Sequence, residues 1–98
     1  MIEVRRALEF DAWLRRLRDE RAKARIASRI RRLSQGNFGD CKNVGRGVTE
    51  MRVDYGPGYR IYFKYRGPKI VVLLCGGDKR RQSRDIERAQ KLTEQDDA

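Results

Sequence analysis

Residues 48–65 restrict the fold more than any other stretch of this chain. Residues 48–55 alternate apolar and polar side chains over several positions, and residues 59–65 do so throughout, as half-buried strands do. Gly56-Pro57-Gly58 stands between them, a fixed φ set between two permissive residues. The stretch predicts an antiparallel hairpin. If Tyr55 faces Tyr59, every other pair follows, because strand register allows no half-steps. Val53 then faces Ile61, Met51 faces Phe63 and Thr49 faces Tyr65 on one largely apolar side. On the other side Asp54 faces Arg60, Arg52 faces Tyr62 and Glu50 faces Lys64. Two of these are opposite-charge pairs, each worth a few tenths to about 1 kcal/mol.

Residues 70–75, IVVLLC, are continuously apolar, which suggests a strand covered on both faces. The turn Arg66-Gly67-Pro68-Lys69 joins this run to the hairpin. If Tyr65 faces Ile70, then Ile70, Val72 and Leu74 join the core side. Val71, Leu73 and Cys75 fall with Arg52, Arg60, Tyr62 and Lys64. Those three need cover, from the C-terminal helix or from a partner chain.

Around this sheet the periodicity changes. Residues 2–6 form a short first strand. Phe10, Trp13, Leu14 and Leu17 share one helical face of a helix over residues 8–18 without a good N-cap. Asp19-Glu20 opens a second helix, with Ala22, Ile26, Ile30 and Leu33 as its stripe and Gly36 as its stop. Residues 36–47 read as a Gly- and Asn-rich loop. They lack the flanking strand and helix that a dinucleotide-binding glycine motif requires. Asp78 N-caps a third helix with Ile86, Ala89 and Leu92 inward, and residues 94–98 fray. The expectation is one domain over residues 1–98, α+β in class. A small antiparallel sheet carries an N-terminal two-helix hairpin and a short C-terminal helix, in the order β-α-α-β-β-β-α.

With 39% hydrophobic and 39% charged residues among 98, such a domain has a thin core that a partner chain would help to complete. The formal charge is +10, and arginine supplies most of the basic residues. That balance favours a polyanion such as RNA or DNA, or an acidic protein, over mere solubility. Residues 5–32 carry eleven basic and four acidic side chains, a nucleic-acid-binding face or a solvated one. Two cysteines make no disulfide framework, and no metal is expected without histidine. No signal-peptide pattern or membrane-length apolar run occurs, so a cytoplasmic protein is expected.

The absence of histidine also excludes a Ser-His-Asp triad and a Cys-His pair. The polar side of the hairpin instead gathers Arg52, Arg60, Tyr62 and Lys64, and Lys79, Arg80, Arg81 and Gln82 follow the next strand. Such a cluster suits RNA, which carries its own nucleophile in the 2′-OH. Arginines hold the phosphate and stabilise developing charge. A lysine crowded by cations serves as a base, and Tyr62 stacks on a base or donates a proton. No cofactor is needed. The same residues also have structural readings: cross-strand ion pairs for Arg60 and Lys64, packing for Tyr62, and a solvated helix start for Lys79, Arg80 and Arg81.

VTEMRVDYGPGYRIYF followed by LLCGGDKRRQSRDIERA resembles the RelE/ParE superfamily of type II toxin–antitoxin toxins. Within it the sequence resembles the HigB-like subgroup of addiction-module killer proteins. The resemblance covers nearly the whole chain. It implies a compact sheet with two N-terminal helices, and a cognate antitoxin, expected to be a helix-turn-helix protein, that masks the basic surface. It also implies metal-free cleavage of mRNA on the ribosome, as in RelE-type members, or DNA gyrase inhibition, as in ParE-type members. A basic nucleic-acid-binding module without catalysis is the remaining alternative. The resemblance makes Arg60 the phosphate-binding arginine, Arg52 a basic strand residue of the site, and Lys79 and Arg80 the basic pair after the last strand. Asp54 stands near a second RelE lysine and Ile86 near its late catalytic tyrosine, so Tyr62 or Lys79 would have to serve instead.

Overall fold

The computed structural model of the protein describes residues 1–95. Its elements are β1 (Glu3–Arg6), α1 (Leu8–Arg16), α2 (Glu20–Ser34), β2 (Cys41–Asn43), β3 (Val48–Val53), β4 (Tyr59–Tyr65), β5 (Ile70–Asp78), a single 3-10 turn (Lys79–Arg81) and α3 (Gln82–Gln95). The class is α+β as expected. The five strands lie in the order β1-β5-β4-β3-β2. Two features depart from the expected sheet. β1 runs parallel to β5, and β2, inside what read as a loop, adds an antiparallel edge to β3. Among the described residues no helix is long and apolar enough to cross a membrane.

The hairpin of β3 and β4 forms, but two residues away from the expected register. Val53 pairs with Tyr59, Met51 with Ile61, Arg52 with Arg60, Glu50 with Tyr62 and Val48 with Lys64. The turn is the reason. It takes Asp54 and Tyr55 out of the strand, with Tyr55 N–H bonding Val53 O at 2.9 Å and Gly58 N–H bonding Tyr55 O at 3.1 Å. Gly56 and Gly58 adopt φ of +56° and +80°, which glycine accepts without a Cβ clash. A shift of two leaves every side chain on its expected face, but neither predicted ion pair forms. Arg60 faces another arginine, and Glu50 faces a tyrosine.

β5 slips by one, which reverses faces. Arg66 N–H bonds Ile70 O at 2.8 Å, so Tyr65 pairs with Val71 rather than Ile70, and Phe63 pairs with Leu73. Val71 and Leu73 therefore lie in the main core with Phe10, Ile26, Leu33, Met51, Ile61 and Phe63. A bulge between Tyr62 and Phe63 then returns Cys75 to the face of Tyr62. There it is covered by α3 in a second cluster with Val48, Val72, Leu74 and Ala89. Of the two covers left open for Val71, Leu73 and Cys75, the partner chain is the one corrected. All three are buried by the chain's own helices, so both faces of β5 are dry, as its continuous apolar run suggested.

The helices attach as their stripes foretell. Asp19 caps α2 by accepting from the N–H groups of Arg21 and Ala22. Ala22, Ile26 and Leu33 are fully buried, and burying an Ile or Leu side chain stabilises by about 1.5–3 kcal/mol. Asp78 caps the 3-10 turn through Arg80 N–H, and Ile86, Ala89 and Leu92 face the sheet. Gly76 and Gly77 belong to β5 itself. A Cβ on Gly76 would sit 2.4 Å from the Trp13 ring of α1, and one on Gly77 would sit 1.9 Å from the Asp85 carboxylate of α3. The glycine pair thus lets a helix touch each side of the strand.

Burial pushes the Cys75 thiol up from its ordinary 9.0 to about 12, with Glu9 and Asp85 adding to the effect. It also pushes the Tyr62 hydroxyl up, helped by Glu50. Both groups hold their protons more tightly when folded. Their contribution is therefore whole below the unfolded values and is lost as pH rises through the folded ones. The melting temperature is expected to hold to about pH 9 and fall between pH 9 and about 12, and Cys75→Ala should make that fall shallower. A thermal midpoint constant across this range would contradict the burial of these groups.

Candidate functional site

The face of the sheet that carries α3 also carries a cation cluster at the turn end of the hairpin. Arg52 on β3 and Arg60 on β4 are direct neighbours across the ladder. Like charges in that position repel. On its other side Arg60 pairs with Gly77, which offers no side chain. Lys79 follows the end of β5, and its Cβ lies 3.5 Å from where a Cβ on Gly58 would be. Arg52, Arg60 and Lys79 line one concave pocket of about 360 Å³ with Asp40, Asp54 and the Gly56-Pro57-Gly58 turn.

Arg60 is only 9% exposed, yet its Nε is buried without a hydrogen-bond partner among the described residues. A guanidinium is rarely taken out of water without an acceptor. Its electrostatic relief comes from Glu50, which is fully buried. Glu50 accepts from Arg52 Nε at 3.1 Å, from the Tyr62 hydroxyl at 3.1 Å and from Gln82 Nε2 at 2.9 Å. Burial alone would raise the Glu50 carboxyl. The hydrogen bonds of Gln82, Arg52 and Tyr62 and the charge of Arg60 outweigh it and hold the group below its usual range.

One sequence-based assignment changes. Tyr62 is fully buried beneath α3, so it neither stacks on a base nor reaches a substrate; its hydroxyl serves Glu50. Lys64 lies four residues along β4, roughly 13 Å from Arg60 at strand spacing, opposite Val48 and Val72. Gln82 stands behind the pocket, bonded to Glu50. Arg80 and Arg81 line the neighbouring cleft of about 730 Å³, which has Trp13, Tyr59 and Asp85 in its wall and shares Pro57 with the first pocket. Burial raises the Asp85 carboxyl there, against the lowering effect of Arg81.

The arginines of α2 have partly inward roles. Arg29 donates to Arg52 O and, at 3.2 Å, to Phe38 O, and the Arg25 guanidinium lies 4.8 Å from the Tyr55 ring centroid. Both pin the ends of the β3–β4 turn to α2. Sequence reasoning missed Glu50 and Asp40 as members of this site. The signal for Glu50 was its place two residues before Arg52 on the same strand face; Asp40 left none.

A profile of the phage-derived protein Gp49-like family (DUF891) matches residues 12–94. The chain belongs to the Gp49-like family. A protein of Haemophilus influenzae, described as uncharacterized, is 49% identical to it over 94 residues, covering 96% of this chain and 95% of that one. No solved structure matches significantly. The Gp49-like family is a RelE/Gp49-type toxin family of toxin–antitoxin systems, which implies a cognate antitoxin as partner. In Gp49-like terms the matched segment includes the whole candidate site, from Asp40 through Gln82.

Proposed function

We propose that this Gp49-like protein is the toxin of a type II system, of HigB-like type, and a ribosome-dependent mRNA endoribonuclease acting in the cytoplasm. The observation that supports this reading best is Arg60: a buried guanidinium whose Nε has no hydrogen-bond partner among the described residues, beside Arg52 and Lys79 in an open pocket. That set suits a phosphodiester. Arg60 and Arg52 grip the scissile phosphate and stabilise the charge that grows on its oxygens. The substrate's 2′-oxygen attacks phosphorus while the bond to the 5′-oxygen breaks, leaving a 2′,3′-cyclic phosphate and a free 5′-hydroxyl. Lys79 protonates the departing oxygen, and Asp40 and Asp54, in the same pocket, are the groups placed to accept the hydroxyl proton. Arg80 and Arg81 extend the cationic surface for the strand that runs on from the cut.

The test is expression with and without the adjacent antitoxin reading frame, followed by mapping of mRNA 5′ ends in arrested cells and in a purified translation reaction. New ends that require ribosomes, and their disappearance with antitoxin, are expected. Intact transcripts together with inhibited DNA supercoiling would replace this reading with gyrase poisoning.

A further inference from the structure

Glu50 poses a question that packing does not answer. A buried carboxylate is costly unless fully paired, and Val48 and Tyr62 beside it pack against α3 without charge. Yet one carboxylate joins three elements. Oε1 holds Arg52 on β3, while Oε2 holds Tyr62 on β4 and Gln82, the first residue of α3. Gln82 directly follows the turn that carries Lys79. Arg52 gives only Nε to Glu50 and keeps its side chain 35% exposed, which leaves its terminal nitrogens for a ligand.

We propose that Glu50 is a positioning residue of the candidate phosphate site: it aims Arg52, ties the Lys79 turn to the sheet through Gln82, and offsets Arg60 until a phosphate fills the pocket. The inference rests on the endoribonuclease reading above and deepens it.

Glu50→Gln separates charge from shape. Arg52 only donates, so the amide oxygen stays on its side. The new NH₂ then faces Tyr62 and Gln82, and both can turn to accept it. The network survives and its negative charge is lost. With two unneutralised guanidiniums the variant should hold RNA on the ribosome at least as tightly, so KM stays level or falls. The bond to Arg52 loses its charge assistance and Gln82 must turn to accept, so Arg52 and the Lys79 turn are held less firmly, and kcat per folded molecule should drop on the order of 30-fold, a split that marks loss of transition-state stabilisation. The melting temperature should stay within a few degrees of wild type. A merely structural Glu50 gives a different result: kcat falls in step with the folded fraction and KM does not improve. That result, or an unchanged kcat, overturns the inference alone. If Glu50→Gln does not fold, Gln82→Ala is read in its place: it keeps the carboxylate but unties the Lys79 turn, so kcat per folded molecule should fall while KM stays level, and an unchanged kcat overturns the inference. Wild-type protein that leaves ribosome-bound mRNA uncut overturns the endoribonuclease reading, and the role of Glu50 with it.

Discussion

Arg60→Ala is expected to abolish growth arrest while leaving the protein folded. Arg60 is nearly buried, and its Nε has no hydrogen-bond partner among the described residues, so hydrogen bonding of that atom does not account for its place on β4. Removing a preorganised donor of this kind typically costs about 10²–10³ in rate. Stability should move the other way or not at all. Truncation removes a buried Nε without a hydrogen-bond partner among the described residues and the repulsion from Arg52 across the ladder, against the loss of some packing and of the attraction to Glu50. Glu50 keeps its three donors in the variant. The expected result is a cleavage rate down by about two to three orders of magnitude, with a melting temperature equal to or above wild type. Arg60→Lys should recover only part of the rate, because an ammonium lacks the planar fork. Full toxicity of Arg60→Ala would remove this residue from the site. A collapsed melting temperature would show that it serves the fold.

Gly76→Ala should give the largest loss of stability from a single added carbon. The new Cβ would meet three atoms of the Trp13 ring at 2.4–2.6 Å. Trp13 has little room to retreat, since it packs against Phe10 at 5.8 Å and Tyr59 at 6.2 Å between ring centroids. α1 must shift, and overpacking of this kind costs about 1–3 kcal/mol. In a domain of this size that lowers the melting temperature by roughly 5–20 °C. Adding Trp13→Phe should restore part of the loss by making room. Gly77→Ala should cost less, although its Cβ would sit closer, 1.9 Å from Asp85. There the obstacle is the end of a carboxylate that can swing aside. Equal melting temperatures for Gly76→Ala and wild type would show that α1 does not lie on β5 as described.

Local pattern and long-range closure contributed differently to this protein. Period-two alternation put Arg52, Arg60 and Glu50 on one face of the hairpin, and that assignment stands because the register moved by two. On β5 the register moved by one, and Val71 and Leu73 changed faces. A continuous apolar run carries no alternation to oppose such a slip. β2 is three residues long, too short for a periodic signal, and forms because β3 offers it a ladder. The parallel pairing of β1 has no local signature at all.

The sequence alone determined the helices, their apolar stripes, the capping residues and the hairpin, because each depends on neighbours within a few positions. It also determined the cationic character of the surface and the absence of histidine chemistry. Only the tertiary structure decided that Tyr62 is buried, that Lys64 stands apart, and that Glu50 joins β3, β4 and α3 beneath the arginines. The physical reason is that cross-strand partners follow from turn length and from what packs above the sheet. Both are settled between residues far apart in the chain, where a carboxylate can be a surface ion-pair partner or the buried centre of a network.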